Sequence, residues 1–146
     1  MAYLFDSNIF LRLAEKNSPH RQTVINAIRA LRNANERLHY TPQVLAEFWN
    51  VCTRPTNARG GLGLTVGQTE RKADLIGKYF TILYDNAATF NEWRRLVSDL
   101  QIKGVQVHDA KLVASMIVHN IPHLVTFNVS DFSRYPAINA ISPNDF

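Results

Sequence analysis

Three acidic residues in apolar stretches of the chain could together hold a metal ion. Asp6, Glu47 and Asp109 each lie within apolar sequence, whereas most of the other carboxylates among the chain's twelve lie in polar surroundings. A buried carboxylate is strongly destabilising unless it is paired or bound to a metal. If the three side chains converge, their oxygens form a site for a hard divalent cation.

Each of these acids also has a purely structural interpretation. Asp6 and Asn8 are residue types that often cap helices, and Asp109 fits the first turn of a helix, where the helix dipole favours a negative charge. Glu47 is less easily explained, because it follows Val44 by three residues and so shares its inward side of a helix. None of the three is specific alone; their joint placement favours a site.

A second polar cluster follows an apolar run near residue 125. Thr126, Asn128 and Asp131 are separated by Phe127, Val129 and Ser130. They could cap the ends of a strand and a short helix. Alternatively, Asn128 and Asp131 stand beside the acidic residues, with the Thr126 hydroxyl as a hydrogen-bond partner.

Other residues with chemical potential give weaker signals. The glycine-rich segment 60–63 lacks the lysine and preceding strand of a phosphate-binding P-loop. Arg54 and Arg59 beside it could contact the phosphates of a nucleic acid, although a mobile, solvated loop explains them equally well. His119 and His123 do not form a zinc pair, because the proline between them breaks any shared helix.

The hydrophobic pattern that must position these residues alternates between strands and helices. The predicted strands are Ala2–Phe5, Arg37–Tyr40, Phe80–Tyr84, Leu124–Phe127 and Ile138–Ile141. The predicted helices run from Ser7 or Asn8 to about Leu13, from Ser18-Pro19 past Leu31, from Thr41-Pro42 past Val51, from Thr65 to about Tyr79, from about Thr89 to Ile102, and from about Val107 to Asn120. Such an order predicts a mostly parallel sheet covered by helices, with ligands bound at the carboxyl ends of the strands.

Length and composition limit the possible classes of protein. At 146 residues, 46% hydrophobic and 19% charged, we expect one folded domain over residues 1–146. The net charge of +4 is compatible with a polyanionic partner such as RNA. The single cysteine, Cys52, favours a reducing compartment. Because Asp6 and Arg12 interrupt the first apolar run, and no run is long enough to span a bilayer, we expect a cytoplasmic protein without a signal peptide or membrane segment.

Four short motifs, taken in their order along the chain, resemble those of a known family. These are Leu4–Asn8, Ala46–Phe48, His108–Ala110 and Val125–Phe132, and together they look like a PIN domain of the VapC type over nearly the whole chain. The resemblance implies a three-layer α/β/α sandwich and a ribonuclease dependent on Mg²⁺ or Mn²⁺. It further implies the toxin of a toxin–antitoxin pair, an antitoxin partner and a homodimer.

The resemblance also implies roles for individual residues. Asp6, Glu47 and Asp109 match the acidic triad of the family and are the expected metal ligands and catalytic residues. The fourth site position, often Asp in the family, is Asn128 here, and Asp131 nearby is expected to compensate. Supporting roles fall to Asn8, Thr126 and Ser7, where Ser7 stands in place of the threonine of many relatives.

Two other functional classes remain open at this point. One is a PIN-fold protein that binds or processes nucleic acid without a toxin role. The other is a receiver-like signalling domain, in which Asp85 at the end of the third strand would accept a phosphoryl group. A receiver, however, has paired acids after its first strand, and here Asp6 is followed by Ser7 and Asn8.

Overall fold

A parallel sheet forms the centre of the protein. The computed structural model describes residues 1–146, and its five strands are all parallel in the order β3-β2-β1-β4-β5. The strands are β1 (Ala2–Phe5), β2 (Arg37–Tyr40), β3 (Thr81–Ile82), β4 (His123–Val125) and β5 (Asn139–Ile141). β1 is central, and its Leu4 pairs with His39 on one side and Leu124 on the other. The predicted α/β class with a parallel sheet is therefore confirmed.

Six helices surround this sheet. They are α1 (Ser7–Ala14), α2 (Arg21–Asn33), α3 (Pro42–Thr53), α4 (Val66–Tyr79), α5 (Ala87–Asp99) and α6 (Gln106–His119). α1 packs on α2 and α3, α3 packs on α4, and α5 packs on α6. None of the helices combines the length and apolar character that a membrane crossing requires.

The element boundaries differ from the sequence prediction at several places. Asp6, rather than Ser7 or Asn8, caps α1. α2 begins only at Arg21, because Ser18 and Pro19 form a separate turn in which the Ser18 hydroxyl accepts from the backbone of His20. β3 contains two residues instead of five, α5 begins at Ala87 after its Asn86 cap, and β4 ends at Val125.

The core joins the sheet to the helices through large apolar side chains. Phe10 of α1 contacts Phe5, Phe48 and Phe80 edge-on or at a tilt, so four segments meet around one ring. Such aromatic contacts contribute about 0.5–1.5 kcal/mol each beyond the area that they bury. Cys52 is also fully buried, and burial raises the pKa of its thiol to about 11.

The loop after α3 is folded back onto the end of that helix. The backbone N–H groups of Leu62 and Leu64 donate to carbonyls of Val51 and Cys52, which have no partner within the helix. A Cβ atom at Gly61 would lie 2.3 Å from the carbonyl oxygen of Pro55, so only glycine fits there. The loop therefore caps α3 through specific hydrogen bonds, unlike the mobile segment that its composition suggests.

Candidate active site

Two neighbouring strands place the first polar pair. Phe5 of β1 pairs with Val125 of β4, so the next residues, Asp6 and Thr126, leave the sheet side by side. The backbone N–H of Asp6 continues the ladder by donating to the Val125 carbonyl at 3.0 Å. The carboxyl ends of these two strands thus form the base of the site, as expected for an α/β sheet.

Asp6 is a buried carboxylate that accepts three hydrogen bonds. The Ser7 backbone donates to Oδ1 at 2.8 Å, and the Thr126 hydroxyl donates to Oδ2 at 2.8 Å. Asn8 Nδ2 donates to Oδ2 at 3.3 Å and to the Thr126 hydroxyl oxygen at 3.2 Å. Asp6 is therefore both the cap of α1 and a member of the polar cluster, so the two interpretations of its sequence position are not exclusive.

The environment of Asp6 favours its protonated form. Its pKa is raised from 3.8 to about 6; burial is the largest cause, and the charges of Glu47 and Asp109 act in the same direction. The hydrogen bonds from Thr126 and Ser7 act in the opposite direction and lower the pKa. The charged form of this carboxylate is therefore unfavourable in the folded protein, and a bound cation would stabilise it.

Glu47 is held in place by two side chains. Ser7 Oγ donates to Oε2 at 2.9 Å and Gln43 Nε2 donates to Oε1 at 2.9 Å. Since Ser7 also donates its backbone N–H to Asp6, it links the two acids. Sequence analysis missed Gln43, although its spacing of one helical turn before Glu47 was an available signal.

Asp109 lies in the first turn of α6, where it interacts electrostatically with other acids. Its pKa is raised, mainly by burial and then by the charges of Asp131 and Glu47, while His108 and Arg134 lower it. Arg134, which sequence analysis did not single out, therefore brings a positive charge to the acidic cluster.

The residues after β4 contribute unequally. Asp131 lies in a 3₁₀ turn, Val129–Phe132, and is exposed while acting electrostatically on Asp109. Asn128 is also exposed, and its backbone N–H donates to the Thr126 hydroxyl oxygen at 3.1 Å. Asn8 Oδ1 accepts from the backbone of Phe127 at 3.3 Å.

The two candidate arginines are engaged within their own loop. Arg54 Nη1 donates to the carbonyl of Arg59 at 2.9 Å, and Arg59 has a positive φ of 35°. Arg54 thus helps to close the loop, while the exposed Arg59 has its side chain towards solvent.

The other sequence candidates lie apart from the acidic cluster. His119 Nε2 lies 3.1 Å from the Tyr84 carbonyl, and the His123 ring stacks on Tyr3 with 4.8 Å between ring centroids. Asp85 forms an ion pair with Lys111 at 3.2 Å. It also follows the edge strand β3, which β2 separates from β1, whereas receivers place their third strand next to the first. The receiver interpretation therefore fails on strand order.

The donor set fits a hard cation. Carboxylate and hydroxyl oxygens surround the site, and these are the ligands that Mg²⁺ and Mn²⁺ prefer. No three histidine, cysteine or carboxylate side chains stand close enough together to enclose an ion. Mg²⁺ is usually bound through one or two carboxylates and keeps several of its waters, so a site for it does not require three such side chains.

Comparison with solved structures shows the same fold in several proteins. VapBC2 from Rickettsia felis, bound to a DNA fragment from their promoter, has a TM-score of 0.75 at 22% identity, covering 97% of this chain and 98% of that one. VapBC-1 from nontypeable Haemophilus influenzae has a TM-score of 0.69 at 23% identity, covering 98% of both chains. VapC20 from Mycobacterium tuberculosis, described as a sarcin–ricin loop cleaving toxin, has a TM-score of 0.62 at 14% identity, covering 91% of this chain and 95% of that one.

Sequence comparison extends this likeness to a family. No curated protein matches the chain significantly. Residues 3–138, however, match the PIN domain family, and this range includes Asp6, Thr126 and the helices that carry Glu47 and Asp109. The chain therefore belongs to the PIN domain family.

Proposed function

We propose that this protein is a metal-dependent endoribonuclease and the toxin of a VapBC-type toxin–antitoxin pair. The observation that supports the proposal is the electrostatic effect of Glu47 on both Asp6 and Asp109 in a PIN domain, with Asp6 at the carboxyl end of the central strand. The solved toxin structures that share the fold support the toxin role.

The burial and hydrogen bonds of each acid indicate its role in the site. Asp6 and Asp109 are the principal ligands for Mg²⁺ or Mn²⁺, because ionising each of them is unfavourable without a counter-charge. Glu47, which is fixed by two hydrogen bonds, binds the ion or orients the attacking water. Asp131 adds negative charge at the exposed side of Asp109.

The remaining residues keep this arrangement rigid. Thr126 and Asn8 orient the Asp6 carboxylate, and Ser7 sets Glu47 relative to it. When bound, a divalent cation supplies a more acidic water and neutralises the charge that develops on the phosphoryl group. Arg134 is placed to attract the phosphate backbone towards the otherwise acidic cluster.

Single-stranded or loop RNA is the substrate class that we favour. Duplex RNA is a rigid A-form helix whose deep major groove hides its bases, so unpaired segments fit an open site more readily. The net charge of +4 assists the approach of a polyanion. The exposed Arg59 is a weaker candidate for RNA contact, and Arg54 is weaker still, because its guanidinium already donates to the loop.

A cleavage assay on a labelled single-stranded RNA tests the enzyme activity. We expect cutting with Mg²⁺ or Mn²⁺, none in EDTA, and products that carry a 5′-phosphate. Asp6→Asn should be inactive, while Asp74→Asn, which neutralises an exposed acid on α4, should cleave like the wild type. Undiminished cleavage in EDTA, or 2′,3′-cyclic phosphate ends, would contradict the proposal.

A surface groove supports the antitoxin partner. Its volume is about 610 Å³, and ten of its fifteen lining residues are hydrophobic. The charged lining residues are all cationic: Arg21, Arg29, Arg32 and Lys72. None of these four forms an ion pair within the chain. The occupant that fits is an antitoxin segment with apolar side chains on one face and acidic side chains beside them.

The toxin role is tested in cells. Expression of the protein should arrest growth, and co-expression of the product of a small adjoining gene should restore it. RNA cleavage without growth arrest would instead favour a PIN-fold RNA-processing enzyme, and metal-independent RNA binding without cleavage would favour a binding protein. The proposed homodimer and the proposed cytoplasmic location are checked by light scattering and by cell fractionation.

A further inference from the structure

Gln43 joins two of the acid-bearing helices through a single amide group. Its Nε2 atom donates to Glu47 Oε1 at 2.9 Å within α3, and to the carbonyl oxygen of His108 at 2.8 Å in α6. His108 immediately precedes Asp109. One side chain therefore contacts a candidate site residue on one helix and the backbone next to a candidate site residue on the other.

The orientation of this amide is fixed by chemistry. Both partners of Gln43 are acceptors, so only the NH₂ end of the amide can face them, and each partner uses one of its two hydrogens. Ser7 donates to the other oxygen of Glu47. The Glu47 carboxylate is thereby held at both oxygens, with lone pairs left over for an ion or a water.

We propose that Gln43 is a positioning residue that sets the orientation of Glu47 and its separation from Asp109. The proposal rests on the metal-dependent function proposed above and goes beyond it, since Gln43 lies outside the acidic triad. A hydrogen bond from Gln43 to the α6 backbone keeps the first turn of that helix against α3, so that both acids reach the same ion.

The size of the effect follows from similar supporting residues in metalloproteins. Removing a group that orients a ligand typically lowers metal affinity or activity 10- to 100-fold. For Gln43→Met, which keeps the length of the side chain but has no donor, we expect Mn²⁺ binding to weaken at least 10-fold. The same variant should need more Mg²⁺ for half-maximal RNA cleavage, with the KM for RNA unchanged.

The measurement is a titration of the purified full-length protein with Mn²⁺ alone. Because an ion that binds only the folded state raises the thermal midpoint, the midpoint reports metal affinity without any need for cleavage. Gln22→Met is the matched control, because Gln22 makes the same kind of hydrogen bond to Asn26, one helical turn later on α2 and exposed. Its Mn²⁺ affinity should equal that of the wild type.

A double-mutant cycle separates positioning from general stability. If Gln43 acts through Glu47, Gln43→Met should weaken Mn²⁺ binding much less in a Glu47→Ala background than in the wild type. A purely structural role would lower the midpoint of the metal-free protein equally in both backgrounds. If Gln43→Met does not fold, Gln43→Asn, whose shorter amide cannot reach both acceptors, replaces it.

The outcomes distinguish this inference from the proposed function. If Gln43→Met binds Mn²⁺ as tightly as the wild type, only the role proposed for Gln43 is overturned. The same holds if the variant loses equal Mn²⁺ affinity in both backgrounds of the cycle. Binding of Mn²⁺ by the wild type without RNA cleavage overturns the ribonuclease while leaving Gln43 to be judged by affinity. A wild type that does not bind Mn²⁺ overturns both.

Discussion

Asp6 combines two properties that oppose each other in the metal-free protein. Its three hydrogen bonds favour the charged form, while burial and the neighbouring acids disfavour it, and the second effect is larger because the pKa rises to about 6. The metal-free protein therefore binds a proton at Asp6 more tightly than its unfolded chain does. The protonated Asp6 contributes its full share of the unfolding free energy below about pH 4, and this contribution is lost as the pH rises through about 6.

Asp6→Asn should remove this pH dependence along with the activity. A shift of about two pKa units corresponds to about 3 kcal/mol at pH 8, and the lost hydrogen bond offsets about 1 kcal/mol of it. We therefore expect the metal-free variant to be about 2 kcal/mol more stable than the wild type at pH 8, with no gain at pH 4. Chemical denaturation in EDTA at both pH values is the measurement. Loss of activity together with unfolding would instead mark Asp6 as structural.

Thr126→Val tests how far the hydrogen bond from Thr126 supports Asp6. The two side chains have the same shape, so the change removes one donor from a buried carboxylate at little steric cost. We expect a loss of about 1–3 kcal/mol in unfolding free energy at pH 8, and a smaller loss at pH 4, where Asp6 is protonated. Equal losses at the two pH values would show that the hydroxyl acts through the hydrogen bonds that it accepts from Asn8 and Asn128 and not through Asp6.

At this scale the sequence singles out the three acids together with Thr126, Asn8 and Ser7, but it does not single out Gln43 or Arg134. Apolar surroundings single out Asp6 and Glu47 because burial of a carboxylate demands compensation. Gln43 precedes Glu47 by one helical turn, which is a usable signal, whereas its contact with His108 and the effect of Arg134 on Asp109 span many residues and leave no linear pattern. Asn128 was expected to act through its side chain, but its contact with the cluster is through its backbone.

At the scale of elements, β2 carries an unusual buried residue. Both ring nitrogens of His39 are buried without a hydrogen-bond partner. Burial is the main cause that lowers its pKa; the nearby backbone of Thr81 acts in the opposite direction, and the charges of Arg37 and His119 lower the pKa further. Folding thus favours the neutral imidazole, so this group supports stability above about pH 6.5 and destabilises the fold as the pH falls below that value.

His39→Leu should remove the loss of protein stability that His39 causes at low pH. The variant buries a side chain of similar size and leaves no polar atom unsatisfied, so we expect a gain of about 1 kcal/mol at pH 7.5. The gain should be larger at pH 5.5, where the wild type must keep an imidazole neutral. Thermal midpoints of the two proteins at both pH values provide the test, and a gain that is independent of pH would refute the assignment to His39.

Helix starts with strong caps could be predicted well, and weakly paired strands could not. Thr65 forms a complete capping box with Gln68, and α4 begins where the sequence indicates. β3 was predicted from five suitable residues, yet an edge strand is paired on one side only, and its length depends on where its neighbour ends. The predicted start of α2 was wrong because a Ser-Pro pair can also form an isolated turn.

At the scale of the whole molecule, the arrangement of strands was beyond sequence analysis. Alternation of strands and helices predicts a parallel sheet, but the order β3-β2-β1-β4-β5 depends on which faces pack together. The groove is likewise a property of several helices, since α1, α2, α3 and α4 each contribute to its lining. Only the three-dimensional structure brings its four cations into one place.

Leu75→Glu should weaken binding of the proposed antitoxin. Leu75 lines the groove and is 56% exposed, so a charge there can be tolerated by the fold while repelling an acidic partner. Val66→Glu on the same helix is the control, since Val66 is 64% exposed and lies outside the groove. We expect at least a tenfold loss of affinity for the product of the adjoining gene in the first variant only, measured by calorimetry. Equal affinity in both would place the partner elsewhere.

The hydrogen bond between Thr126 and Asp6 also has a consequence for the timing of synthesis. It joins residues 120 positions apart, and β1 cannot complete its pairing in the centre of the sheet until β4 has left the ribosome. Domains fold as units while the chain emerges. A nascent chain that ends before residue 126 therefore lacks the hydroxyl that orients its first carboxylate, and the polar cluster at the end of β1 assembles only when the domain is nearly complete.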